Sequence, residues 1–305
     1  MNGINSVIVL FLIFSVGFLL TRRNAWPENS TSVLSVIVVK IAAPSLAILS
    51  IYDRFTRELL AAATFHLMIL CLYTFILFLI GKGLSRLLRL KNGRAAVFEV
   101  SFTFSNTIFI GLPVNQIAFG NEGLPYLFTF YLVTLTGFWS LGAYWLACAS
   151  DSAERFSPKK IFSPGFIGII IGSLLVMVEG SIPFALDSAL RYIGGLTVPL
   201  SLLVIGANLT QLDRNVLRVK KDEVFILVGK FILSPLIMLA LLKLFNVQGM
   251  AFSVFMLTAA MPCHMQTSIV AEHHGVEGSY AARLVSLSTL VSLITIPLTI
   301  YILTH

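Results

Sequence analysis

The chain has 305 residues, of which 57% are hydrophobic and only 11% charged, where a soluble protein carries about 25% charged residues. Its formal net charge is +7, but the basic residues sit in short loops between apolar stretches, so the charge does not point to nucleic acid. This balance excludes a soluble enzyme or a nucleic-acid module and predicts an all-α polytopic membrane protein with no soluble domain.

Ten apolar stretches of about 20 residues are long enough to cross a hydrocarbon core of about 30 Å. These segments 1 to 10 are placed over 4–21, 32–51, 59–81, 95–119, 125–148, 162–178, 185–210, 223–245, 250–272 and 279–303. Segment 1 has no basic residue before it and Arg22-Arg23 after it. A secretory signal carries its charge in front, so segment 1 reads as a retained helix. Segment 2 has Lys40 mid-span and a central Pro44, matched in segment 7 by Pro199; each proline removes a backbone hydrogen bond and predicts a kink. Segment 3 carries His66, which is either a proton-linked group or a hydrogen-bonded bundle residue.

Segment 4 is unusual. From Ser101 to Gln116 it crowds Thr103, Ser105, Asn106, Thr107, Gly111, Pro113 and Asn115 into the middle of a span. Segment 9 is also polar and proline-broken at its centre, with Pro262, Cys263, His264, Gln266, Thr267 and Ser268. A buried unsatisfied amide or hydroxyl costs several kcal/mol in hydrocarbon, so both stretches must line a cavity or face each other. A broken helix exposes N–H groups at one half-helix end, and these attract anions. Asn106, Thr107, Pro113, Asn115, His264, Gln266, Thr267 and Ser268 are therefore the candidate substrate-binding residues, with Gly111, Pro113 and Pro262 as the helix breaks. The competing reading is that these polar groups only join helices.

Intramembrane ionisable residues are functional suspects. Glu99 in segment 4 and Lys230 in segment 8 lie at similar depth and are expected to pair. Lys40 and His66 are possible proton-linked groups, although either lysine could instead snorkel to an interface. Asp187 and Arg191, spaced i,i+4, are expected to pair at the start of segment 7. No cofactor or metal is expected. There is no P-loop, Glu272-His273-His274 lacks the His-Glu-x-x-His spacing, and Cys71, Cys148 and Cys263 have no zinc or disulfide pattern. The adjacent Cys263 and His264 point different ways on a helix and make a poor nucleophile pair.

The chain also reads twice. Shifted by 155 residues without a gap, Gly17 falls on Gly172, Pro44 on Pro199, Gly120-Asn121-Glu122-Gly123 on Gly275-Val276-Glu277-Gly278, and Thr134-Leu135 on Thr289-Leu290. Five segments per half is odd, so the halves 1–150 and 156–305 are expected to be inverted repeats, an architecture of secondary transporters. Loops on one face hold fourteen Lys and Arg, including Arg22, Arg23, the Lys82–Arg94 loop, Arg155, Lys159, Lys160, Arg214 and Arg218; the other face holds Arg54, Arg57, Arg191 and Lys243. The positive-inside rule makes the first face cytoplasmic and puts both termini outside. The Lys82–Arg94 loop is also mildly amphipathic and suits anionic headgroups.

The string from Ser105 to Val114, followed by Phe119-Gly120, resembles the segment-4 signature of the auxin efflux carrier family. Met261-Pro262 with Ile269-Val270-Ala271 and His274-Gly275 is similar to its segment-9 counterpart. The resemblance covers the whole chain. It implies a secondary carrier of organic anions, with a fold like that of the bile acid sodium symporters and segments 4 and 9 crossing at their breaks. It also implies a scaffold of segments 1, 2, 6 and 7, an elevator-like transport domain of segments 3–5 and 8–10, and a homodimer through the scaffold. Asn106 and Pro113 match the family's segment-4 Asn and crossover Pro. Thr267-Ser268 departs from the second proline of plant members, and the short 149–161 loop fits a prokaryotic protein in a plasma membrane, such as a bacterial inner membrane. The functional expectation is alternating-access movement of a small carboxylate, with potential-driven export favoured over Na⁺- or H⁺-coupled uptake. A membrane-embedded sensor would need a cytoplasmic output surface, and no loop is large enough to supply one.

Overall fold

The computed structural model describes residues 3–27, 29–150, 162–210 and 219–304. Arg155, Lys159, Lys160, Arg214 and Arg218, and the joint between the two halves, lie outside the described residues. Helices cover the apolar stretches, and no strand occurs among the described residues, only an isolated antiparallel bridge between Ser105 and Cys263. Among the described residues six helices are long and apolar enough to cross a membrane: Ser30–Arg54, Arg57–Leu87, Leu124–Cys148, Phe184–Leu209, Lys221–Leu244 and Gly278–Leu303. Shorter apolar helices lie over Ile8–Arg22, Pro164–Met177 and Gly249–Ala259. Large apolar side chains face outward along them, Phe184, Tyr192 and Ile294 being 86%, 83% and 76% exposed. A surface this apolar suits lipid rather than water.

The prolines act through the turn ahead of them. Pro44, Pro113 and Pro235 each follow a π turn, over Val38–Ala42, Thr107–Gly111 and Gly229–Leu233. Proline offers no N–H and clashes with the carbonyl four residues back, and a wider turn relieves both problems without ending the helix. In segment 7 the interruption falls at Leu196, between helices Phe184–Gly195 and Thr197–Leu209, just ahead of Pro199. The Thr197 hydroxyl closes that break by donating to the Gly194 carbonyl at 2.7 Å.

Glycines set the closest helix contacts. Gly17 lies against the Leu203 carbonyl, and Gly206 against that of Phe14, so closely that a Cβ at either position would overlap it. Gly172 meets Ile48 and Gly168 meets Pro44 in the same manner. In lipid, where little hydrophobic force drives helices together, such backbone approach is a main source of association. The contact of Gly17 with Leu203 becomes the contact of Gly172 with Ile48 when each residue is matched to its mate 155 positions away.

Ion pairs gather at the helix ends. Arg191 pairs with Asp187 as expected, at 2.8 Å, and reaches Asp53 as well, also at 2.8 Å. At the opposite ends Arg94 bonds Asp222 at 2.6 Å and Arg283 bonds Glu223 at 2.6 Å. Tyr280 donates to Asp222 at 2.7 Å, and the Arg94 guanidinium lies 3.8 Å from the Tyr280 ring centre. The starts of segments 4, 8 and 10 are thereby tied together.

Candidate functional site

The helix Asn92–Thr103 stops because Phe104 turns to an extended conformation, φ −93° and ψ 138°. The partner helix Gly249–Ala259 ends just before Pro262, which cannot donate. The two loosened segments cross and satisfy each other. The Asn106 N–H donates to the Pro262 carbonyl at 2.9 Å, and the His264 N–H donates to the Phe104 carbonyl at 3.2 Å. Each segment then resumes, through the π turn Thr107–Gly111 into Leu112–Phe119 and as Gln266–His273. The Asn106 side chain caps its turn, its Oδ1 accepting from the Phe109 N–H at 3.2 Å.

Neighbouring segments complete the backbone accounting at the crossing. Ser234 donates to the Ala259 carbonyl at 2.6 Å and lies 2.6 Å from the Tyr73 hydroxyl. The Cys263 N–H finds Ser288 Oγ at 3.1 Å. Lys230, fully buried, donates from Nζ to the Phe104 carbonyl at 2.7 Å and to Ser105 Oγ at 3.2 Å. The crossing thus holds a lysine amine from segment 8 that the sequence reading placed elsewhere.

Glu99 and Lys230 do not pair. Glu99 bonds Ser85 and accepts from Trp145 Nε1 at 2.6 Å. The Lys82 ammonium lies 4.3 Å from the Trp145 ring centre. Similar depth along two helices fixes height in the bilayer but not which faces meet, and Lys230 faces the crossing while Glu99 faces segments 3 and 5. A tryptophan N–H needing an acceptor near the end of segment 5 was the available signal for Glu99. For Lys230 the signal was weaker: frayed carbonyls at a helix break attract a buried cation.

Asn106, His264 and Gln266 line one small cavity at the crossing, of about 20 Å³, together with Val39, Tyr131 and Phe138. Such a volume admits about one water. The His264 ring lies 4.6 Å from that of Phe138. Asn106 Nδ2 and His264 Nδ1 are buried without a hydrogen-bond partner, as are Thr107 Oγ1 and Thr267 Oγ1. Buried polar atoms are normally satisfied, so Asn106 Nδ2 and His264 Nδ1, on two residues that line the cavity, mark a place where polar capacity is held in reserve.

The other candidates sit apart from this cavity. Asn115 is a strut, its Nδ2 donating to the Gly111 carbonyl at 2.8 Å and to Thr258 Oγ1 at 3.2 Å. Gly111 donates its N–H to the Asn106 carbonyl at 2.9 Å, and Pro113 is buried at the start of the following helix. Ser268 faces a separate cleft of about 440 Å³. His66 packs against the rings of Phe255 and Tyr126, at 5.3 and 6.0 Å, away from the crossing. Lys40 lies in the π turn of segment 2 and is exposed, next to the cavity-lining Val39. Among the described residues no cluster of His, Cys, Asp or Glu could hold a metal ion.

Comparison with known proteins points to a membrane transporter. The profile of the family described as "Membrane transport protein" matches residues 3–154 and 148–300. An uncharacterized transporter of Methanothermobacter thermautotrophicus is 25% identical over 301 residues, covering 98% of this chain and 97% of the relative. An uncharacterized transporter of Methanocaldococcus jannaschii is 26% identical over 306 residues, covering 96% of each chain. The chain is an integral membrane protein and belongs to the membrane transport protein family, that of the auxin efflux carriers.

Proposed function

We propose that this transporter is an alternating-access carrier that moves a small organic anion, a carboxylate, out of the cell. One observation carries the reading. Lys230 brings a buried cation to the crossing of segments 4 and 9, where its partners are a carbonyl and a hydroxyl and no carboxylate. An uncompensated buried charge is costly, and an arriving carboxylate offsets it. Asn106 Nδ2, unpartnered beside the same crossing, supplies a donor for that carboxylate. A cation built into the chain where a coupling sodium would otherwise help favours export over ion-coupled uptake. A monoanion leaving down a potential of about 100 mV, inside negative, gains about 2.3 kcal/mol, enough for a gradient of about 50-fold.

In this reading the chain has ten spans in two inverted halves, with segments 1, 2, 6 and 7 as scaffold and segments 3–5 and 8–10 moving against it. The recurrence of the Gly17–Leu203 contact as Gly172–Ile48 supports the repeat. The protein sits in the plasma membrane with both termini outside, and two copies associate through their scaffolds. Proteoliposomes loaded with a radiolabelled carboxylate test the transport reading. Efflux should rise with an imposed inside-negative potential and be indifferent to sodium and proton gradients. Efflux that ignores voltage and needs sodium would refute it.

A further inference from the structure

Two voids lie end to end along one face of the helix Ser30–Arg54. Thr31, Ser32 and Ser35 line the cleft of about 440 Å³, and Val39, one turn further on, lines the crossing cavity of about 20 Å³. The cleft is large enough for a small organic ligand, while the cavity holds about one water. The cleft's polar lining is hydroxyl and amide, with Ser268, Ser286 and Asn208 adding to the three residues of segment 2, and among the described residues no charged side chain lines it. Such a surface solvates a carboxylate without trapping it.

The first turn of helix Gln266–His273 forms the wall between the two voids. His264 and Gln266 face the crossing cavity, and Ser268 and Ile269 face the cleft. Among the described residues Met265 is the one that lines both. We propose that the Met265 side chain is the gate between cleft and crossing, and that its swing merges the two voids into a chamber that admits the carboxylate to Asn106. The inference rests on the transport reading for its ligand but not for its geometry. Methionine suits the task. It is unbranched, with three rotatable bonds and no polar atom that must be satisfied in either position. A β-branched residue there would be locked in one rotamer. The gate also sets specificity, because the bulk cleared by one side chain limits the width of the anion that passes.

Thiol accessibility on purified, detergent-solubilised protein tests the gate without needing transport. Cys71 and Cys148, both exposed, are replaced by serine, and buried Cys263 is kept as an internal reporter of an intact fold. Gln266→Cys reads the cavity and Ser268→Cys reads the cleft, each treated with the anionic thiol reagent sulfonatoethyl methanethiosulfonate. Met265→Ala should raise the rate at position 266 at least tenfold, and Met265→Phe should lower it at least threefold. The rate at position 268 should change less than twofold in both. Equal rates at position 266 with Ala, Met and Phe would overturn the gate, as would rates at 266 and 268 that rise together. If Met265→Ala also uncovers Cys263, the Phe variant decides alone, since it adds bulk to the wall and removes none. Loss of voltage-driven carboxylate efflux with these rates as expected would remove the transport reading and leave the gate standing.

Discussion

The glycine contacts of the helix pairs and the crossing of segments 4 and 9 are both close backbone meetings in the membrane, yet they are built on opposite plans. At Gly17 and Gly206 backbone touches backbone inside continuous helices, with no side chain between them. At the crossing the helices give up their own bonds, exchange two with each other, and leave Asn106 Nδ2 and His264 Nδ1 without partners. The two regions also differ in how far the 155-residue shift carries. It turns Gly17 against Leu203 into Gly172 against Ile48, but it pairs Lys230 with Phe75, Asn106 with Met261 and His264 with Phe109. The shift thus carries over this packing contact but not the residues of the crossing.

The largest effect should come from spoiling the packed region. Gly206→Leu places side-chain atoms where the Phe14 carbonyl already lies. Overpacking costs about 1–3 kcal/mol and more when backbone must move, so little folded protein should survive size-exclusion chromatography. A wild-type elution profile and melting temperature would show that the helices can part cheaply.

At the crossing, Asn106→Ala should leave the melting temperature within a few degrees of wild type. It should weaken carboxylate binding by about 10-fold, the worth of one charge-assisted hydrogen bond of about 1.5 kcal/mol. Undiminished binding would remove Asn106 from the site. Glu99→Gln tests a third region, the contact with Ser85 and Trp145. It should destabilise by about 1–2 kcal/mol in chemical denaturation. Because Glu99 and Lys230 have separate partners, its effect should add to that of Lys230→Met within about 0.5 kcal/mol. A larger coupling energy would mean the two charges act together after all. The smallest effect belongs to the exposed rim. Arg57 pairs with Glu179 at 3.1 Å and donates to the Met177 carbonyl at 2.8 Å. Arg57→Ala should cost less than about 1 kcal/mol, and a shift in melting temperature beyond several degrees would contradict that.

Much of this arrangement was legible in the sequence because hydrocarbon imposes one strong rule, that apolar runs become helices and polar interruptions must find partners. Asn106, Pro262 and His264 were marked by that rule. The prolines announced irregular backbone, but the form it takes, a π turn ahead of Pro44 and Pro113, depends on carbonyls four residues back and on what neighbours fill the space. Glu99 with Lys230 failed for want of azimuth: hydropathy gives depth, and only packing tells which way a side chain points. Azimuth also keeps Asn115 away from this cavity, since its face of the helix meets Thr258. Val39, Tyr131 and Phe138 reach the crossing from segments 2 and 5 and look in sequence like any other membrane-facing residue.

The claim that a built-in cation awaits an anion is tested most directly by binding one carboxylate and its neutral amide, benzoate and benzamide, to wild-type protein and to Lys230→Met by calorimetry. Removing Lys230 leaves the Phe104 carbonyl still bonded to the His264 N–H, so the crossing should persist. Wild type should prefer benzoate by at least about 30-fold, since losing one partner of a buried charge pair costs about 2 kcal/mol or more, and the variant should prefer neither. An equal preference for benzoate in both proteins would place the anion's partner elsewhere and contradict the account.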